Sequence, residues 1–165
     1  MIVEELQSTV RRSTALVLDT NVLLLRVIGE LGHGWVTRFK RVRERFDDED
    51  VRLLLELLSH ARLLVTTPHI LAETSNLLAQ APSEEIAYGA RRVMLNLVRT
   101  TDERWPRIDD ANTDESRYAF QRFGVSDWGL TRLASDGCLI LTDDLILLSH
   151  IQSAGGDGIN FNHLR

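Results

Sequence analysis

Residues 15–21 read Ala-Leu-Val-Leu-Asp-Thr-Asn, an apolar run that ends in three residues favoured at helix starts. Four consecutive apolar side chains suit a short strand buried on both faces, and Asp19-Thr20-Asn21 then opens a helix from about Val22. The pattern recurs along the chain. Leu63 to Thr66 predicts a second strand, after which Thr67 is an N-cap and Pro68 occupies the first position of a helix running to about Gln80. Cys138 to Leu141 predicts a third, closed by Thr142-Asp143-Asp144 and followed by a helix over Leu145 to Ile151. Gly155 to Gly158 turns the chain, and Ile159 to Phe161 predicts a last strand.

The intervening segments read as helices. From Asp48, apolar residues recur at Val51, Leu54, Leu55 and Leu58, the spacing of one helix face. Pro82 breaks the helix begun at Pro68, and Ser83 caps the next. Glu84 and Glu85 complement that helix's dipole as it runs to about Arg99. The stretch from Thr101 to Asp114 is polar, with Arg107-Ile108 a brief edge element, and Glu115 to Phe123 resumes a helical pattern. Ser126 caps a further helix that starts at Asp127, runs through Ser135 and ends at Gly137. Strands alternating with helices imply an α/β fold, a mostly parallel sheet with helices on both faces.

A length of 165 residues matches a single domain spanning residues 1–165, with residues 1–14 as a polar N-terminal arm. A hydrophobic fraction of 44% excludes wholesale disorder, and no apolar run approaches the ~20 residues needed to cross a bilayer. One cysteine, Cys138, supports neither a disulfide framework nor a cysteine metal site, so a reducing, cytoplasmic setting is expected. The net charge of -5 excludes nucleic-acid binding across the whole surface and leaves only a local patch. Residues 37–45 (TRFKRVRER) offer one, with five basic residues and one acid on a helical segment. A solvated helix surface explains the same residues.

Ligands of open α/β sheets bind at the carboxyl ends of the strands, which directs attention to the acids there. Asp19 follows the first strand, and Asp143 and Asp144 follow the CLILT run. Glu73 lies in the second turn of the helix after the second strand, beside the apolar stripe of Ile70 and Leu77, where an acid needs a partner. Asp127 starts the helix before CLILT. Asp19, Asp127, Asp143 and Asp144 each have an alternative role at a helix N-terminus. Crowded together, these carboxylates would repel one another and raise their own pKa values, a conflict that a hard divalent ion such as Mg2+ or Mn2+ resolves. Such an ion activates water and stabilises charge on a phosphodiester. The five histidines lack ligand spacing, and no P-loop, G-x-S-x-G or G-x-G-x-x-G is present.

Five segments in order, VLDTN (17–21), TPHILAETSNLL (67–78), GVSDWGLTRLA (124–134), LTDD (141–144) and INF (159–161), resemble the PIN-domain family. The resemblance covers residues 15 to 163 and implies a three-layer α/β/α fold with a central, mostly parallel sheet of four or five strands. It implies a Mg2+- or Mn2+-dependent endoribonuclease with RNA as substrate. Asp19, Glu73 and Asp127 match the first three acids of that family. The pattern Thr-x-Asp selects Asp144 with Thr142 as the fourth, and Asp143 stands beside it as a further candidate. Thr20 and Asn21 match the small polar residues that organise the first acid. Toxins of toxin–antitoxin pairs share this fold, which would bring an antitoxin protein as partner, and a homodimer is expected. The segment Arg26 to Asp50 is longer than in those compact toxins, and its Lys40, Arg41 and Arg43 are candidates for guiding RNA to the acids. A PIN-like module that binds RNA or protein without cutting remains the alternative.

Overall fold

The computed structural model describes residues 2–164. Strands β1 (Leu16–Leu18), β2 (Leu64–Thr66), β3 (Asp102–Glu103), β4 (Leu139–Thr142) and β5 (Gly158–Asn160) form one sheet in the order β3-β2-β1-β4-β5. Every adjacent pair is parallel. Helices α1 (Ile2–Arg12), α2 (Thr20–Gly29), α3 (Trp35–Arg38), α4 (Lys40–Arg43), α5 (Asp48–Leu58), α6 (Pro68–Leu78), α7 (Glu84–Val98), α8 (Asp114–Ser135) and α9 (Leu145–Ser153) flank it in a three-layer α/β/α arrangement.

The burial of the strands explains their composition. Every residue of β1 and β4 is buried, without the alternation of a half-exposed strand, because helices cover both faces of a parallel sheet. From β1 the chain steps outward to β2 and β3, then returns to the other side of β1 for β4 and β5. Right-handed crossovers place the connecting helices of the two halves on opposite faces. The direction of winding therefore reverses between β1 and β4, and the carboxyl ends of those strands flank the crevice where such sheets bind ligands.

Side-chain caps start the helices where the sequence predicts them. Thr67 accepts from Ile70 N at 3.2 Å with Pro68 behind it, and Ser83 accepts from Ile86 N at 3.3 Å. Leu23, Leu24 and Leu25 are core residues, as is Cys138 directly before β4. Among the described residues, no helix is long and apolar enough to cross a membrane.

Several expectations need correction. The N-terminal arm is helix α1, whose Leu6 and Val10, one turn apart, lie against the core while Gln7 donates to Glu56 on α5 at 2.8 Å. Its polar composition hides an amphipathic face. The stripe of α5 runs through Leu57, and Leu55 is exposed. Residues 37–45 do not form one basic helix, because Phe39 leaves helical geometry (φ -93°, ψ 103°) to bury its ring. The edge strand is Asp102–Glu103, paired with Val65 and Thr66, and Arg107-Ile108 leads into a 3-10 turn. Two charged residues can form an edge because only one side of that strand is covered by a neighbour. Finally, α8 breaks at Gly124 (φ 83°) and not at Ser126, so Asp127 lies in the first turn after the kink. Trp128 is fully buried, and its indole N–H donates to Ser116 Oγ at 2.9 Å across the kink, which anchors Asp127 beside it.

Candidate acidic active site

Asp19 comes directly off β1, and its backbone N–H still bonds to Leu141 of β4 at 3.0 Å. Its carboxylate is almost wholly buried and fully engaged. Oδ1 accepts from Val22 N at 3.0 Å, capping α2, while Oδ2 accepts from the Thr142 hydroxyl and from Asp143 N at 3.3 Å. Asp19 is thus the N-cap of α2, placed at the carboxyl end of β1. Burial, and after it the Asp143 carboxylate, push its pKa from 3.8 up to about 7 against the three hydrogen bonds, which pull it down.

The other acids surround it. Thr20 Oγ1 donates to Glu73 Oε2 at 3.0 Å, which supplies the partner that a carboxylate beside the apolar stripe of α6 requires. Asp127 is half-buried, and its pKa rises to about 6 through burial and then the charges of Glu73, Asp144 and Asp143. Carboxylates from four separate chain segments thus feel one another at the carboxyl edge of the sheet. His69, one turn before Glu73, lies at the contact between α6 and Gly129 of α8, a packing role that helps bring Glu73 towards Asp127.

The two acids after β4 have different positions. Asp144 is exposed and caps α9, its Oδ1 accepting from Ile146 N at 2.7 Å and Leu147 N at 3.0 Å. Asp143 turns inward, with its side chain only 4% exposed, and accepts from Asn21 Nδ2 at 3.0 Å. Thr142 serves both, donating to Asp19 and accepting from Asp144 N at 3.0 Å. Among the described residues, no three acids, histidines or cysteines come together closely enough to enclose a metal ion.

Of the basic candidates, Arg41 reaches the site and donates to Asn21 Oδ1 at 3.3 Å, whereas Lys40 and Arg43 are exposed. Sequence reasoning missed Arg45, whose guanidinium lies 2.5 Å from Asp143 Oδ2. Its spacing of four from Arg41 was the available signal, since residues one helical turn apart share a face. No protein-family model matches the chain, and no curated protein or solved structure shows significant similarity to it.

Proposed function

We propose that the protein is a Mg2+- or Mn2+-dependent endoribonuclease of the PIN-domain type, hydrolysing RNA phosphodiester bonds at Asp19, Glu73, Asp127 and the Asp143-Asp144 pair. The observation that carries this reading is the convergence of acids from four segments at the reversal of winding, where mutual repulsion contributes to the raised pKa values of Asp19 and Asp127. The donor set fits a hard divalent ion. Mg2+ and Mn2+ usually take one or two carboxylates directly and keep several waters, so they do not require a closed cage of three. When bound, such an ion would supply an activated water and offset charge on the phosphodiester.

The chain's own groups have distinct tasks on this reading. Val22 N, Thr142 and Asp143 N orient Asp19, and Thr20 orients Glu73. Asp127, its pKa raised to about 6, is suited to accept a proton as general base. Asp143 supplies the inward carboxylate of the Thr-Asp-Asp turn, and Asp144 fixes that turn by capping α9. The basic residues Lys40, Arg41 and Arg43 would guide RNA, offsetting the repulsion between a polyanion and a chain of net charge -5. The buried lone cysteine accords with a cytoplasmic protein. An antitoxin partner and a homodimer belong to the same proposal.

One observation favours the alternative, a module that binds RNA or protein without cutting: Arg45 already neutralises Asp143. Titration of Mn2+ into wild-type protein and into an Asp19→Asn/Asp127→Asn variant, followed by calorimetry, separates the two readings. Binding seen only in the wild type supports the nuclease and warrants cleavage assays on an RNA pool. A folded wild type that binds no Mn2+ favours the noncatalytic module.

A further inference from the structure

Arg41 and Arg45 approach the acids from one side of a single helical turn. Regular α4 ends at Arg43, yet Arg45 N and Phe46 N still bond to Val42 O at 3.0 and 2.8 Å, so the chain keeps coiling. Val42 and Phe46 bury the opposite face in the core, with the Phe46 ring edge-on to Phe161 at 5.6 Å. The arginine face is thereby held over the carboxyl ends of β1 and β4. Its contacts form a short chain: Arg41 donates to Asn21 Oδ1, Asn21 Nδ2 donates to Asp143 Oδ1, and Arg45 holds Asp143 Oδ2.

The two ends of the Arg45–Asp143 pair differ in exposure. The Asp143 side chain is 4% exposed and that of Arg45 45%, so the guanidinium end of the pair is the one open to solvent. Arg41 has donor capacity to spare, because its Nε is buried without a hydrogen-bond partner. A guanidinium presents a planar fork of N–H groups that matches two oxygens of a phosphodiester.

We propose that Arg41 and Arg45 are positioning residues that bind the substrate phosphodiester beside Asp19, and that Arg45 does so by exchanging Asp143 for the phosphate. This rests on the ribonuclease reading. Arg45 pairs with Asp143, and a divalent cation held by that carboxylate would compete with it. A phosphate that takes Arg45 away leaves Asp143 to the cation, so RNA and cation each strengthen the binding of the other, as linkage requires. The arrangement keeps Asp143 paired until a polyanion arrives.

The test uses the full chain, Mn2+ alone by calorimetry, and a fluorescein-labelled 20-nucleotide oligouridylate by anisotropy in EDTA. Arg45→Gln is expected to tighten Mn2+ binding about fivefold and to weaken oligouridylate binding about tenfold, within the usual range of coupling between sites. Arg45→Lys keeps the competing charge without the fork, so its Mn2+ affinity stays near wild type while its RNA affinity falls. Arg41→Gln weakens RNA binding. A merely structural Arg45 would not produce tighter Mn2+ binding. If the wild type binds Mn2+ and Arg45→Gln binds it no more tightly, the exchange is wrong while the nuclease reading stands. If neither protein binds Mn2+ in the folded state, the nuclease reading fails and the exchange with it.

Discussion

Replacing Asp19 with asparagine preserves the side chain's shape and removes its charge, and the structure predicts a more stable protein at neutral pH. The folded-state pKa of Asp19 is about 7 against an ordinary 3.8. Between about pH 4 and pH 7 the folded protein therefore binds a proton that the unfolded chain has lost, and stability falls as pH rises across that window. Roughly three pH units at ~1.36 kcal/mol each set a ceiling of about 4 kcal/mol on the cost of ionised Asp19. Asparagine recovers only part of it. Its carbonyl can still accept from Val22 N and the Thr142 hydroxyl can turn to accept from its amide, but that amide then faces Asp143 N, now 3.3 Å from Oδ2, and two donors meet. An unsatisfied donor of this kind costs about 1–2 kcal/mol. The net expectation is a gain of about 2 kcal/mol at pH 7.5, or a rise of about 4–8 °C in Tm for a chain of this size. Near pH 4.5 the charge contribution shrinks to about 1 kcal/mol, and the lost hydrogen bond cancels it. Urea denaturation of both proteins from pH 4.5 to 7.5 measures the difference directly. A variant less stable than wild type at pH 7.5, or a stability difference that does not change with pH, would refute the reasoning.

Other residues offer independent checks. Glu73→Gln and Asp127→Asn are each expected to abolish RNA cleavage with an unchanged circular dichroism spectrum, and a fully active single variant would count heavily against the proposed site. Asp144→Asn should leave stability within about 0.5 kcal/mol of wild type because asparagine caps as well as aspartate, whereas Asp144→Ala should cost about 1 kcal/mol, both read from urea midpoints. Gly124→Ala is expected to destabilise by about 1 kcal/mol or more through backbone strain alone, since φ is 83° and an added Cβ would touch nothing within 4 Å. A thermal melt equal to wild type would show that the kink relaxes without cost.

Much of the fold was legible because its signals are local. A cap spans three residues, so Asp19, Thr67 and Ser83 mark the starts of α2, α6 and α7 without reference to anything distant. Apolar runs four residues long identify β1 and β4 because both faces of a parallel strand are covered. The edge strand at Asp102–Glu103 carries no apolar run and was invisible for that reason. Helix α1 was hidden in the same way, since few of its residues meet the core.

The order of acids along the chain, and their placement after strands and at helix starts, was determined by the sequence alone. Their meeting was not. Thr142 and Asp19 are 123 residues apart and touch only because β4 lies next to β1, at the reversal of winding that a sequence pattern does not specify. The same holds for Asp143 and Asp144. Adjacent residues after a strand point in different directions, and only the packed structure decides that Asp143 turns inward to Asn21 and Arg45 while Asp144 caps α9. Arg45 joins the site across 98 residues for a similar reason: Phe46 and Val42 must be buried, and burying them aims the arginine at Asp143. Local hydrogen bonding writes the elements into the sequence, whereas the site is produced by long-range packing of the core, which fixes where each polar side chain emerges.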